Sequence, residues 1–129
     1  MPVSGDFVYR ERVRFGDLDP MGHVNNAVFA TYVESARVGY WKAKIGTMDI
    51  ILARLEIDFR APVSYGEEVE VTARVSRFGT KSLDFEHELR VDGRVVAEAK
   101  SVCVAYDYDR SETIPLPEEW REKLLAVPA

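Results

Sequence analysis

Arg14-Phe15-Gly16-Asp17-Leu18-Asp19-Pro20-Met21-Gly22-His23-Val24-Asn25-Asn26 runs straight into Ala27-Val28-Phe29-Ala30-Thr31-Tyr32-Val33-Glu34-Ser35-Ala36-Arg37-Val38-Gly39-Tyr40-Trp41. The first stretch gathers two carboxylates, a histidine and two asparagines, and is too polar for ordinary core. In the second, Phe29, Val33, Ala36, Arg37, Tyr40 and Trp41 recur at helical spacing with Tyr32 beside them, while Glu34, Lys42 and Lys44 fit a solvent side. A long helix over 27–44 is expected. Asn25 or Asn26 is its cap and Gly46 its stop. Asp19-Pro20-Met21-Gly22 reads as a turn, since proline fixes one torsion and glycine frees another.

Outward from this helix the chain alternates with a period of two. On the N-terminal side, residues 7–15 place Phe7, Tyr9, Glu11, Val13 and Phe15 on one face. On the C-terminal side, 51–59 sets Ala53, Leu55, Ile57 and Phe59 against Arg54, Glu56, Asp58 and Arg60. Strands are expected over 68–78, 80–91 and 95–106, with Asp92-Gly93 as a tight hairpin. One apolar face and one polar face describe an antiparallel sheet lying on a helix. The order strand, helix, four strands gives the class α+β. Residues 110–119, with Pro115 and Pro117, read as a tail leading to a short helix that ends at Leu125.

The chain has 129 residues, enough for a single domain over 1–129 with its own core. Its formal charge of -5 argues against a nucleic-acid partner. Cys103 is the only cysteine, so no intrachain disulfide forms and a reducing compartment fits. The N-terminus does not read as a signal peptide, and no apolar run approaches a membrane span. The expectation is a cytoplasmic protein that does not engage membranes.

The candidate chemistry sits in the polar stretch. Asp19 stands just before a turn and a helix start, where unpaired backbone N–H groups can hold an oxyanion or a phosphate. A carboxylate there can attack a carbonyl or activate water, or it can simply cap the turn. Asp17 fits a turn role better than an acid–base pairing with Asp19. His23 fits a base, a ligand contact or a cap. His87 falls on the apolar face of a strand and reads as a satisfied core histidine. Neither histidine has metal-ligand spacing with Cys103, and neither a metal nor a cofactor is expected.

Phe15-Gly16-Asp17-Leu18-Asp19-Pro20-Met21-Gly22 resembles the opening motif of the hydroxybenzoyl-coenzyme A thioesterase family, which has the hotdog fold. His23-Val24-Asn25-Asn26 is similar to the same stretch in the acyl-carrier-protein thioesterase branch. The element order agrees over about 6–108. The resemblance implies five antiparallel strands around a central helix, with 109–129 as a tail and short helix. It also implies dimers or tetramers with active sites between protomers.

The activity implied is hydrolysis of acyl-coenzyme A thioesters. Asp19 matches the family's nucleophile or general base, and the backbone N–H of Asn26 matches the group that polarises the carbonyl. Gly22 and Val24 belong to the same loop, and His23 keeps its place. Met21 stands where the acyl-carrier-protein branch has asparagine in its catalytic pattern. The acyl pocket is expected at Phe29, Tyr32, Val33, Ala53 and Phe59. A second protomer is expected to bring the zone of Thr80, Lys81 and Ser82, with Arg77 or Lys81 on the coenzyme A phosphates. An acyl-carrier-protein thioesterase and a non-catalytic acyl-coenzyme A binder are the alternatives.

Overall fold

The structure, a computed structural model, describes residues 7–125. Strand β1 (Phe7–Arg12) is followed by a single 3-10 turn at Phe15–Asp17 and by helix α1 (Asn26–Lys44). Strands β2 (Ile50–Phe59), β3 (Glu68–Phe78), β4 (Ser82–Val91) and β5 (Arg94–Asp107) come next. A short β6 (Glu112–Thr113) and helix α2 (Glu118–Leu125) complete the described chain. The sheet is antiparallel throughout, in the order β1-β3-β4-β5-β2, and β6 pairs with β5.

Helix α1 begins where Asn25 accepts the Ala27 N–H on its side chain at 2.8 Å, so Asn25 rather than Asn26 is the cap. Lys42 and Lys44 lie in the last turn, where positive charge complements the helix dipole. Gly46 follows with φ +97°, a conformation that glycine adopts without strain. The helix buries Phe29, Tyr32, Val33, Ala36, Arg37, Tyr40 and Trp41 against the sheet, its backbone running over β1 and β3. Gly39 allows this approach: a Cβ there would stand 3.0 Å from the Phe7 ring.

The opposing sheet face supplies Val69, Val71, Ala73, Leu83, Phe85, Leu89, Ala97 and Cys103, all buried. Rings meet edge to face at Tyr40–Phe85 and Trp41–Phe85. Each fully buried ring of this kind contributes about 2–3 kcal/mol of transfer free energy. The outer face is polar and laddered. Glu56, Lys100, Glu86 and Arg74 stand in one row of alternating sign, closed by an Arg74–Glu86 contact at 2.6 Å.

Three sequence expectations are corrected. Strand β1 stops at Arg12, and Phe15 lies in the 3-10 turn, 80% exposed rather than on an inner face. In β2 the pairing with β5 shifts between Leu52 and Arg54. The extra residue, Ala53, leaves the ladder, and Leu52 stands opposite the buried Cys103 in its place. A bulge reverses the alternation of everything on one side of it, so Ala53 does not share a face with Leu55. The tail, finally, is part of the core. Trp120 meets Trp41 edge to face at 5.0 Å, Leu116 is buried, and the Leu116 N–H donates to Thr80 O.

Candidate active site

The stretch from Leu18 to Val24 closes on itself as a small hairpin. Asp19 N–H donates to His23 O at 2.8 Å and Gly22 N–H to Asp19 O at 3.0 Å. The turn is Asp19-Pro20-Met21-Gly22, with Pro20 at its second position and Gly22 at φ +86°. The Asp19 carboxylate completes it: Oδ1 accepts from Met21 N–H at 2.9 Å and from His23 N–H at 3.3 Å. Among the described residues Oδ2 accepts from nothing. One oxygen therefore fixes the side chain, and the other is left for chemistry.

Two clips hold this hairpin to the fold. Val24 N–H donates to Val63 O at 2.9 Å, and the buried Val24 side chain joins the core rather than a ligand surface. On the other side, Asp17 O accepts from Asn25 N–H at 2.9 Å, tying the helix cap to the loop. The buried Asp17 carboxylate accepts from Arg14 N–H at 3.0 Å and Tyr32 Oη at 2.7 Å, and lies 3.3 Å from the Arg14 guanidinium. Burial works to raise its pKa, but these donors outweigh it and hold the carboxyl below its usual range. Burial, then the Asp17 charge, pushes the Tyr32 hydroxyl well above the phenol range. Tyr32, expected as acyl-pocket lining, ties its hydroxyl to Asp17 and so anchors the Asp19 loop to α1.

Asn26 opens the helix with its N–H unpaired among the described residues, as an oxyanion donor requires. Asp19 thus has a half-buried carboxylate with one oxygen unpaired among the described residues, and it stands seven residues before the start of α1. A family model described as the thioesterase-like superfamily matches residues 13–124, spanning the motif, the helix and the sheet.

The chain belongs to the thioesterase-like superfamily.

Relatives agree. A thioesterase of Thermus thermophilus whose structure holds coenzyme A and zinc is 37% identical, covers 97% of this chain and 96% of its own, and superposes with a TM-score of 0.89. The long-chain acyl-CoA thioesterase FadM of Escherichia coli (strain K12) is 27% identical over 88% of this chain and 92% of its own length. A chloroplastic acyl-acyl carrier protein thioesterase of Arabidopsis thaliana, ATL3, is 26% identical over 88% of this chain and 65% of its own. The hotdog architecture and the reaction class, thioester hydrolysis, follow for this member of the superfamily.

The remaining predicted residues divide by place. Phe29 is buried and meets the half-exposed Phe59 edge to face at 5.2 Å, so these two stand together near the helix start. His23 is exposed, and its imidazole has no hydrogen bond among the described residues. Arg77, Lys81 and Ser82 lie elsewhere. Glu68 at the start of β3 pairs with Arg12 beside the loop, whereas Arg77 is nine residues on, about 30 Å along the strand. One chain does not bring them to Asp19.

Arg77 pairs with Asp84 at 3.5 Å, while Lys81 touches only Thr113 Oγ1 at 3.2 Å. Arg121 of α2, which sequence reasoning missed, stands at the same corner. It donates to Gly79 O at 2.7 Å and lies 5.2 Å over the Phe78 ring. Also missed is Tyr65, 63% exposed, whose ring meets Phe15 edge to face. Together with Met21, also exposed, they give the Asp19 loop an apolar rim. An aromatic residue just before a loop glycine was the available signal.

His87 is the core residue the sequence suggested. Its Nδ1 donates to Thr72 O at 3.1 Å, so Nε2 accepts from the Ser101 hydroxyl at 2.8 Å. Burial pushes its pKa down to about 4, opposed by the Thr72 bond and aided by the Arg37 charge. Cys103 is likewise buried, its thiol pushed up to about 11 by burial. Among the described residues no group of three or more His, Cys, Asp or Glu side chains is placed to hold a metal ion. None of their helices is long and apolar enough to cross a membrane.

Proposed function

We propose that this thioesterase hydrolyses acyl-coenzyme A esters, with Asp19 as general base toward water. The observation that carries the reading is the split role of the Asp19 carboxylate. Oδ1 is held by two backbone N–H groups, and Oδ2 is unpaired among the described residues, in the loop that leads into the start of α1. Water held at Oδ2 attacks the thioester carbonyl. The growing oxyanion is met by the Asn26 N–H and the positive end of the helix dipole. The water's proton passes to Asp19 Oδ2; collapse breaks the C–S bond, and the coenzyme A thiolate takes that proton to leave as the thiol, restoring the carboxylate. His23 sits at the loop's rim, where it contacts the pantetheine arm or orients the turn.

Assembly completes the site in this reading. Strand β2 is a ten-residue edge, unpaired on one side among the described residues, with Ile51, Leu52 and Phe59 each about two-fifths exposed or more. Such an edge is a template for a second strand. Two copies joined there form one continuous sheet, and the corner of Lys81, Ser82, Arg77 and Arg121 becomes available to the other chain's ligand. Lys81, with no carboxylate partner among the described residues, is the best-placed phosphate contact.

The test is thiol release from short, medium, long and aromatic acyl-coenzyme A esters and from matched acyl-carrier-protein esters, with Asp19→Asn run alongside. Asparagine keeps an oxygen for Met21 and His23 N–H but removes the base. Turnover should fall by about 10²–10⁴ in a folded protein. Comparable turnover in folded D19N defeats the assignment. Single turnover in oxygen-labelled water separates the two chemistries: label on Asp19 means direct attack, label in the product acid alone means water activation.

A further inference from the structure

Arg37 is a cation that the fold buries without neutralising. It lies on the sheet-facing side of α1, 6% exposed. Its single hydrogen bond among the described residues runs from one guanidinium nitrogen to Ser101 Oγ at 3.1 Å, and no carboxylate lies within reach. Ser101 in turn donates to His87, which is neutral at pH 7. A guanidinium has five N–H donors and stays charged in proteins. Its burial is strongly unfavourable unless an opposite charge answers it. The remaining guanidinium nitrogens keep contact with open space, whereas one turn further on Trp41 Nε1 is fully buried and, among the described residues, donates to nothing.

The position of this unmatched donor capacity is defined by the ladder. Ser101 stands opposite Leu55 of β2 on one side and Phe85 of β4 on the other, and Trp41 packs edge to face on Phe85. Arg37 and Trp41 thus stand over the same rung. From that rung toward the helix start, β5 offers only Ala99 and Ala97 on the inner face, opposite Ile57 and Phe59. These small residues form a low floor. Phe29, Val33 and Arg37 lie along one side of it, and Phe59, Ile57 and Leu55 along the other. The two sides match in length: Phe29 to Arg37 rises about 12 Å along a helix, and Phe59 to Leu55 about 13 Å along a strand. Their near ends touch at the Phe29–Phe59 contact. Leu55 and Ile57 are only half-buried, so the β2 side of this groove is incompletely covered.

We propose that this apolar groove takes the acyl chain and that Arg37 receives a carboxylate at its far end, so that the preferred substrates are thioesters of dicarboxylic acids. The inference rests on the Asp19 reading above, which sets the thioester carbonyl at Asn26. Eleven residues of helix separate Asn26 from Arg37, about 16 Å, the reach of a medium-length chain. A methyl-ended chain fills the groove but leaves the guanidinium unanswered. A hydroxyl end supplies a hydrogen bond but no charge. A carboxylate supplies both, in the fork geometry that arginine favours.

The experiment compares kcat/KM for the mono-coenzyme A thioesters of decanedioic, dodecanedioic and tetradecanedioic acid, each against the methyl-ended ester of equal length. Wild-type protein should favour the carboxylate-ended ester by roughly tenfold or more at one of these lengths, and Arg37→Met should abolish that ratio. Arg37→Lys, which keeps the charge but not the fork, should retain part of it. A wild-type preference for methyl ends at every length overturns the proposal even if Arg37→Met does not fold. An unchanged ratio in a folded R37M protein overturns it too, including the case where R37M shifts the oligomeric state and shows that a second copy's carboxylate answers the cation. If no ester is hydrolysed, the Asp19 reading fails separately. Binding of dodecanedioate against the corresponding neutral diol, followed by tryptophan fluorescence, then decides on Arg37. Tighter dianion binding that R37M loses supports the site, and equal binding removes it.

Discussion

The Tyr32 hydroxyl donates to Asp17 Oδ2 at 2.7 Å, joining the second turn of α1 to the loop that carries Asp19. Both partners are buried, and Asp17 lies two residues before Asp19 while its carbonyl holds the helix cap. The bond therefore ties the loop of the Asp19 carboxylate to the helix start. Tyr32→Phe keeps the ring and removes only the donor. A hydrogen bond to a charged acceptor is worth about 1.5–3 kcal/mol, and a loss of that size is expected in urea unfolding. Because the substrate-binding surfaces stay in place, kcat should fall more than KM rises. Unchanged kcat in a destabilised Y32F protein would reduce the pair to a purely structural role.

His23 and Asp19 share a turn, but their side chains are held differently in it. Asp19 Oδ1 receives the His23 backbone N–H, an interaction any residue at that position can make. The exposed imidazole contributes nothing to the loop's hydrogen bonding. His23→Ala should therefore reduce turnover less than Asp19→Asn, with the larger change in KM. Equal losses would make His23 a partner in the chemistry, as in the acyl-carrier-protein branch. Gly22→Ala provides a control: φ +86° disfavours alanine, at a cost of about 1–2 kcal/mol, with the loop rather than the histidine at fault.

Local signals carried the fold. Helix α1 and the strand β4 were readable because their periods of 3.6 and 2 are strong and uninterrupted. Ala53 was misplaced because a bulge is a property of two strands in register, and a single strand's alternation does not reveal it. Phe15 was placed on a face because hydrophobicity alone does not show that the chain turns at Gly16. The turn at Asp19 was legible from Pro20 and Gly22. Tyr32's bond to Asp17 was not, since at helical spacing a tyrosine reads as one more apolar contact. Arg121 was invisible for the same reason in reverse, because its value depends on α2 docking beside the β3–β4 turn.

His87 links stability to pH. Its pKa falls from the ordinary 6.5 to about 4 on folding, chiefly through burial. Between these values the unfolded chain binds the proton and the folded chain does not, so stability rises with pH across this window. The contribution is fully present above 6.5 and is lost as pH falls toward 4, amounting to about 3 kcal/mol. Asp17, whose pKa is lowered, loses its contribution only below the ordinary carboxylate value of 3.8, in a separate and more acidic window. Urea unfolding at neutral pH and near pH 4 should show the loss in wild type and a flatter dependence in His87→Gln. An equal slope in both would mean that His87 already carries its proton in the folded state.

The free edge of β2 gives the last prediction. Leu52 lies at the bulge, 42% exposed, on the strand whose outer edge no other described strand pairs. In a single chain, Leu52→Lys replaces an exposed apolar side chain with a charged one and should change stability by less than about 0.5 kcal/mol. In an assembly joined along β2 the same lysine enters the seam once from each copy, and a buried charge without a counter-charge separates the chains. Light scattering should then report a smaller species for L52K, and activity should fall with it, because the Lys81 corner no longer reaches the other chain's Asp19 loop. A wild-type monomer that is fully active would remove β2 from the site altogether. A dissociated but fully active L52K would leave each chain to bind its ligand alone, with Arg12 and Arg14 as the cations nearest the loop.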